Sequence, residues 1–124
     1  MSSSSPSKAY VLLGCPFCFK FLLFMTEAGL LNEIDIVSYD KKQDDYEEKK
    51  LALAEATQAM VSFPMAEIEP GHFLADSDGL IQYYAEKHSV AIPELPILEC
   101  YTQGVFNGLM ELYMENIELK KKLA

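Results

Sequence analysis

Basic residues are scarce in this sequence. Ten lysine and arginine residues stand against nineteen aspartate and glutamate residues, which gives the 124-residue chain a formal net charge of −9. A surface with this charge repels the phosphates of nucleic acids and the anionic inner leaflet of a membrane. We therefore expect neither a nucleic acid nor a membrane as a partner.

Long hydrophobic runs are also lacking. The longest apolar stretch, Phe19 to Met25, is interrupted by Lys20 and is far shorter than the roughly 20 residues that a membrane-spanning helix needs. Residues 1–8 lack the apolar core of a secretory signal and are predicted to form a disordered lead. These features favour a soluble protein of the cytoplasm.

Cysteine is scarce as well, with three residues in the chain. Three is an odd number, and it is too few for a scaffold held together by disulfide bonds. At 14.0 kDa, the chain has the size of one ordinary domain, since about 100–150 residues is the commonest length. We therefore expect one folded domain whose cysteine pattern serves catalysis or binds a metal.

The hydrophobic pattern predicts strands and helices in the order βαβαββα. The predicted strands are 10–14, 33–39, 64–68 and 72–75, and the predicted helices are 19–29, 44–58 and 77–88. Strands joined through a helix are parallel, whereas the last two strands flank a Pro-Gly turn and form an antiparallel hairpin. The expected domain, residues 9–90, is thus a four-stranded mixed sheet flanked by helices.

The C-terminal part of the sequence predicts a linker and then one long helix. Two prolines in the linker, residues 91–96, prevent a continuous helix, and residues 97–122 then have helical composition. The polar residues of this helix share one face and leave an apolar arc of roughly 180°, wider than a surface helix needs. We therefore expect the helix to pack on its own domain or on a second copy of the chain. The polar residues are Gln103, Asn107, Glu111, Glu115, Glu118 and Lys122.

The sequence Cys15-Pro16-Phe17-Cys18 follows the first predicted strand and opens the first helix. A thiol at a helix N-terminus faces free N–H groups and the positive end of the helix dipole, and both favour the thiolate. Proline suits the first helical position, because its missing N–H costs nothing there. The two-residue spacing returns Cys18 to within bonding distance of Cys15. We predict that Cys15 is a nucleophile in thiol–disulfide exchange and that Cys18 is the resolving thiol.

Two other interpretations of the cysteine pair stay open. The pair would form half of a zinc site if two further ligands were close, but the remaining candidates, Cys100, His72 and His88, have no metal-ligand spacing. We therefore expect no metal. Alternatively, both cysteines are inert core residues, because free cysteine is often a small buried hydrophobe. Burial is what we expect of Cys100.

The first strand, the Cys-Pro-Phe-Cys motif and the element order together resemble the glutaredoxin branch of the thioredoxin fold over about residues 9–88. The resemblance implies a thioredoxin-like α/β fold with an added C-terminal helix. It also implies a thiol–disulfide oxidoreductase that uses glutathione as co-substrate and acts on disulfides or glutathionylated proteins. Phe63–Pro64 lies where that fold has a cis-proline beside the active cysteine, and a trans-proline that opens an edge strand is the alternative.

The segment 73–87 is similar to the region of glutathione transferase N-terminal domains that contains a Glu-Ser motif, with Asp76 in place of the glutamate. By this resemblance, Asp76 and Ser77 bind the γ-glutamyl end of glutathione. The backbone of Phe63, next to Pro64, then pairs with the cysteine residue of the tripeptide. A helix N-terminus also receives a carboxylate on physical grounds. The alternative is that Asp76 or Ser77 only caps the third helix.

Three further side chains are candidates for the site. Lys42 follows the second strand about where omega-class glutathione transferases have a lysine near the glycine carboxylate of glutathione, and Lys20 is an alternative cation. For both, a solvated lysine is the other interpretation. Phe17 is expected to be exposed beside Cys15 and to contact substrate as an apolar lip. The lysine that many glutaredoxins carry shortly before the first cysteine has no counterpart in residues 10–14.

These patterns support two functions of different classes. The first is a glutaredoxin-like thiol–disulfide oxidoreductase. The second is a glutathione-transferase-like domain that binds glutathione or a partner protein without turnover and dimerises through its last helix. A variant of the second holds an iron–sulfur cluster between two protomers through Cys15 and glutathione.

Overall fold

The computed structural model describes residues 7–123 of the chain. Within this range the strands are β1 (Ser7–Leu12), β2 (Ile34–Tyr39), β3 (Met65–Glu69) and β4 (His72–Ala75). The helices are α1 (Pro16–Glu27), α2 (Tyr46–Thr57), α3 (Ser77–His88), α4 (Pro96–Cys100) and α5 (Phe106–Leu123). A π-helical turn, Tyr101–Val105, joins α4 to α5. Short 3₁₀ helices lie at Leu31–Glu33 and Ile92–Glu94.

The four strands form one mixed sheet in the order β2-β1-β3-β4. β1 and β2 are parallel, from Ser7 opposite Ile34 to Leu12 opposite Tyr39. β3 is antiparallel to both β1 and β4. The predicted element order and the predicted mixed sheet are therefore confirmed.

The first strand begins earlier than predicted. Ser7 and Lys8, which were expected in the disordered lead, belong to β1 and pair with Ile34 and Asp35 of β2. Residues 1–6 of that lead lie outside the described residues. The strand ends at Leu12, before the Gly14 at which it was expected to end. Ser7 and Lys8 carry no apolar signal, and only their pairing with a distant strand makes them part of the sheet.

Helices pack on both faces of the sheet. On one face, α1 and α3 enclose the larger cluster of buried side chains together with Ala9 and Ala66 of the sheet. On the other face, α2 packs on a smaller cluster that includes Met65. Met65 and Ala66 are neighbours in one strand, so their side chains point to opposite faces. The larger cluster includes Phe21, Phe24, Met25, Leu80 and Tyr84.

The C-terminal helix differs from the single helix predicted over residues 97–122. It begins at Pro96, where the two carboxylate oxygens of Glu27 accept hydrogen bonds from the N–H groups of Ile97 and Leu98 at 2.8 and 2.7 Å. The π-helical turn then interrupts it. The prolines do break the chain as expected, although the linker contains a 3₁₀ helix.

The apolar face of α5 stays largely exposed in the described part of the chain. None of its residues is buried, and its large apolar side chains are mostly open to solvent. The exposed ones are Leu109, Leu112, Tyr113, Met114, Leu119 and Leu123. Among residues 7–123, no helix combines the length and the apolar character needed to cross a membrane.

Candidate functional site

Cys15 occupies the junction between β1 and α1. The chain turns at Gly14 with a φ of +85°, a left-handed conformation that favours glycine. Cys15 then has extended backbone angles and is the N-cap of α1, with Pro16 as the first helical residue. The Sγ of Cys15 accepts a hydrogen bond from the N–H of Cys18, with an N-to-S distance of 3.4 Å. The predicted thiol at a helix N-terminus is therefore present.

The surroundings of Cys15 favour its thiolate. A hydrogen bond from the Cys18 thiol lowers the pKa of Cys15 to about 6, against an opposing effect of burial. The backbone amides of Cys18 and Phe17 lower this pKa further, and the charge of Lys41 adds to the effect. Since the pKa lies about one unit below neutral pH, thiolate exceeds thiol by about tenfold at pH 7. Cys15 thus has the charge state of a nucleophile.

Cys18 has the opposite character. Its side chain is buried, with 2% of its surface exposed, and its Sγ accepts a hydrogen bond from the N–H of Leu12 at 3.3 Å. The hydrogen bond that it shares with Cys15 raises the pKa of Cys18, and burial raises it further. The site therefore places a protonated, enclosed thiol beside an accessible thiolate, as an attacking thiol and a resolving thiol require.

A cavity of about 400 Å³ lies beside Cys15. Leu13 and Phe17 line it from the strand-to-helix junction, and Lys41 lines it from the segment after β2. Met110 and Tyr113 of α5 complete its wall. Met110, Tyr113 and Lys41 were not predicted from the sequence as residues of the site. The broad apolar arc of the last helix indicated that Met110 and Tyr113 could contact another surface. It did not show that this surface is the cavity beside Cys15.

Phe17 lies in the cavity wall and is 41% exposed, as expected of an apolar lip. Its ring packs edge-on against Phe106 of α5, with the ring centroids 5.3 Å apart. The C-terminal helix therefore supports the side chain between the two cysteines. The role of Phe17 in contacting substrate stays a prediction.

The peptide bond between Phe63 and Pro64 is cis, as the resemblance implied. Pro64 is fully buried, and its carbonyl oxygen accepts a hydrogen bond from the N–H of Asp76 at 3.3 Å. The Phe63 ring packs on Tyr39, with centroids 5.1 Å apart. The hydrogen bond between Pro64 and Asp76 connects the segment before β3 to the start of α3.

Asp76 and Ser77 open α3. Asp76 has a φ of +94°, and its carboxylate accepts a hydrogen bond from the N–H of Gly79 at 3.1 Å, which caps the helix. Ser77 is buried, with 2% of its surface exposed. The structure thus shows the capping role for Asp76, and the binding of a γ-glutamyl group by either residue stays a prediction.

The three lysines near the site have different surroundings. Lys41 lines the Cys15 cavity. Lys42 is exposed, and its backbone N–H donates to the side chain of Asp40 at 3.0 Å. Lys20 is buried, and its Nζ lies 2.7 Å from Asp78 Oδ1 and 4.5 Å from the ring centroid of Phe106. Lys20 is therefore paired with a carboxylate, and the roles of Lys20 and Lys42 at the site stay predictions.

The expectation of a buried Cys100 is wrong, because this cysteine is exposed. It lies at the end of α4, whose buried residue is Leu98. In the range 7–123, no cluster of three or more histidine, cysteine, aspartate or glutamate residues could hold a metal ion.

Comparison with known proteins identifies similar solved structures. No protein-family model and no curated protein matches the chain. A glutathione S-transferase from the Antarctic clam Laternula elliptica is 21% identical, with a TM-score of 0.51, and the match covers 95% of this chain and 53% of that one. Glutathione transferase Omega 2C from Trametes versicolor is 17% identical, with a TM-score of 0.48, over 86% of this chain and 49% of that one.

The chain thus spans about half the length of the solved structures that it matches. The likeness to the clam protein at 21% identity concerns the fold, and it agrees with the observed mixed sheet, its order β2-β1-β3-β4 and the helices on its two faces. The chain therefore has the thioredoxin-like α/β fold, with an added C-terminal helix.

Proposed function

We propose that this protein is a glutathione-dependent thiol–disulfide oxidoreductase that acts in the cytoplasm on glutathionylated proteins and protein disulfides. One observation carries the proposal. The accessible Cys15 has a pKa of about 6, and the protonated, buried thiol of Cys18 lies within hydrogen-bond reach of it. A thiolate attacks disulfides, and a nearby second thiol releases the resulting adduct.

The proposed reaction has two steps on the protein. The Cys15 thiolate attacks one sulfur of the substrate disulfide, so that a new S–S bond forms as the old one breaks, and the leaving thiolate takes up a proton from solvent. Cys18 then loses its proton and attacks Cys15, which forms the Cys15–Cys18 disulfide and releases the second half of the substrate. Two molecules of glutathione reduce this disulfide and leave as oxidised glutathione. On glutathionylated substrates, one external glutathione replaces Cys18 in the second step.

Glutathione is proposed to lie between α3 and the Cys15 cavity. Free N–H groups at the start of α3 favour the carboxylate of the γ-glutamyl end, next to Asp76 and Ser77. The Phe63 backbone, beside Pro64, would pair with the cysteine residue of the tripeptide. The resemblance indicates Lys42 as the residue that binds the glycine carboxylate. The position of Lys41 in the cavity wall makes Lys41 a second candidate for this role. Phe17 would contact the substrate from the cysteine motif.

A glutathione-coupled disulfide reductase assay on cysteine variants tests the proposal. We expect Cys15→Ser to be inactive, because a hydroxyl at this position is not ionised near neutral pH. Cys18→Ser should keep activity on glutathionylated substrates and lose it on protein disulfides. Cys100→Ser is the matched control, since it removes an exposed thiol outside the motif, and it should behave as wild type. Full activity of Cys15→Ser would refute the proposal.

The exposed apolar face of α5 favours a second candidate function. In this alternative, the chain is a binding module that dimerises through α5 and holds glutathione or a partner protein without turnover. Glutathione binding by titration calorimetry, together with no reductase rate, would support it over the first function. A monomer by sedimentation velocity at micromolar concentration would contradict its dimer.

A further inference from the structure

The C-terminal helix makes a specific polar contact with the cysteine motif. The hydroxyl of Tyr101 donates a hydrogen bond to the carbonyl oxygen of Pro16, with an O-to-O distance of 2.8 Å. The Tyr101 side chain is buried, and its ring packs edge-on against Phe19, with centroids 5.1 Å apart. A tyrosine that lies 85 positions away in the chain is therefore held against the first residue of α1.

The π-helical turn gives this contact its geometry. The N–H of Phe106 bonds to the carbonyl of Tyr101, five residues earlier. In a regular α-helix, two residues five apart point about 140° away from each other, whereas the wider turn of a π-helix brings residues five apart toward the same face. Accordingly, the rings of Tyr101 and Phe106 lie 5.7 Å apart and both contact α1. The interruption of the helix thus turns two aromatic side chains toward the cysteine motif.

The carbonyl of Pro16 belongs to the same peptide group as the N–H of Phe17. A hydrogen bond accepted by a peptide oxygen polarises the group and makes its N–H a stronger donor. The Phe17 amide is one of the groups that stabilise the Cys15 thiolate. The Tyr101 hydroxyl is a donor at neutral pH, since a phenol ionises near pH 10, and burial and the negative charge of Cys15 raise the pKa of Tyr101 further.

We propose that Tyr101 is a positioning residue for the nucleophile: through the Pro16–Phe17 peptide group, its hydroxyl strengthens and orients the amide that stabilises Cys15. The inference rests on the proposed role of Cys15 as a nucleophile. It gives the C-terminal helix a part in the chemistry of the site, beyond packing.

The variant Tyr101→Phe tests this, since it removes the hydroxyl and keeps the ring. The rate of Cys15 alkylation by iodoacetamide is measured from pH 4.5 to 9.5, with the modified residue identified by mass spectrometry. A hydrogen bond to a charged group contributes about 1–2 pKa units, and a strengthening of ~10–30% of one such bond predicts that loss of the hydroxyl raises the midpoint by about 0.1–0.6 unit. The higher pKa also makes the remaining thiolate more nucleophilic, so alkylation at pH 5 becomes about 1.1- to 2-fold slower. Tyr83→Phe is the matched control, because it deletes a tyrosine hydroxyl on α3 and should leave the midpoint unchanged.

A second variant carries 3-fluorotyrosine at position 101, which keeps the size of the side chain and makes the phenol a stronger donor. It should lower the midpoint, opposite to Tyr101→Phe, whereas a purely structural role would move neither. If removal of the hydroxyl displaces the helix, the near-ultraviolet dichroism spectrum of Tyr101→Phe will change. In that case the midpoint of the fluorinated variant alone tests the inference. An unchanged midpoint in the fluorinated variant and in a folded Tyr101→Phe would overturn the inference. A wild-type midpoint near the ordinary cysteine value would instead refute the proposed function.

Discussion

Replacing Cys18 with alanine removes the hydrogen bond that contributes most to the low pKa of Cys15. A hydrogen bond to a charged group contributes about 1.5–3 kcal/mol, and one pKa unit corresponds to about 1.4 kcal/mol. The pKa of Cys15 should therefore rise by about 1–2 units, from about 6 to roughly 7–8. The thiolate fraction at pH 7 would fall from about nine-tenths to between about one-half and one-tenth.

The reaction rate at neutral pH should change little, because a higher pKa has two opposing effects on this rate. A thiolate becomes a better nucleophile as its pKa rises, with a Brønsted coefficient of about 0.4–0.5. A rise of one to two units thus makes the remaining thiolate about three- to eightfold more reactive. The two effects nearly cancel at pH 7, where we expect rates within about twofold of each other. At pH 5.5 the variant should be about three- to tenfold slower, and at pH 9.5 about three- to eightfold faster.

The assay uses stopped flow to measure the rate at which Cys15 first attacks a chromogenic aromatic disulfide. It uses a Cys100→Ser background, so that the exposed thiol does not contribute. Cys18→Ser is the matched control, because its hydroxyl is still able to donate to Cys15, and its midpoint should lie between those of wild type and Cys18→Ala. The reasoning fails if the pH profile of Cys18→Ala superimposes on that of wild type. The backbone amides at the start of α1 would then suffice to hold the thiolate.

Three further changes test other contacts. Lys41→Met should raise the pKa of Cys15 by less than Cys18→Ala does, because the charge of Lys41 lowers this pKa less than the hydrogen bonds of Cys18 and Phe17 do; a larger shift in the same pH profile would contradict this order. Glu27→Ala should lower the free energy of unfolding by about 1–2 kcal/mol in urea titrations, because two N–H groups of α4 lose their acceptor. Phe24→Ala, at a fully buried position, should lower it by about 3–5 kcal/mol, and a loss below about 1 kcal/mol would disprove the packing described for α1.

Local signals in the sequence were sufficient for the element order and for the reactive cysteine. A short apolar run followed by glycine, cysteine and proline predicts a strand, a turn and a helix start, because each of these residues acts on its own backbone. The position of Cys15 at the N-terminus of α1 follows from that local order, and so does the acidity of its thiol.

Other parts of the site depend on contacts between distant segments. Lys41 and Lys42 are adjacent and chemically identical, and only the way the chain leaves β2 places Lys41 in the wall of the Cys15 cavity. Likewise, the exposure of Cys100 follows from the side on which α4 packs. The amino-acid composition does not predict the position of Lys41 or the exposure of Cys100.

What the sequence by itself determined is the alternation of strands and helices and the thiolate at the start of α1, since both arise from residues a few positions apart. Only the tertiary structure decided that Tyr101 reaches Pro16 and that Met110 and Tyr113 line the cavity. The physical reason is that the π-helical turn and the docking of the C-terminal helix on α1 set the direction of these side chains. That docking depends on contacts between segments that lie far apart in the chain. The residue pattern within one helix does not determine such contacts.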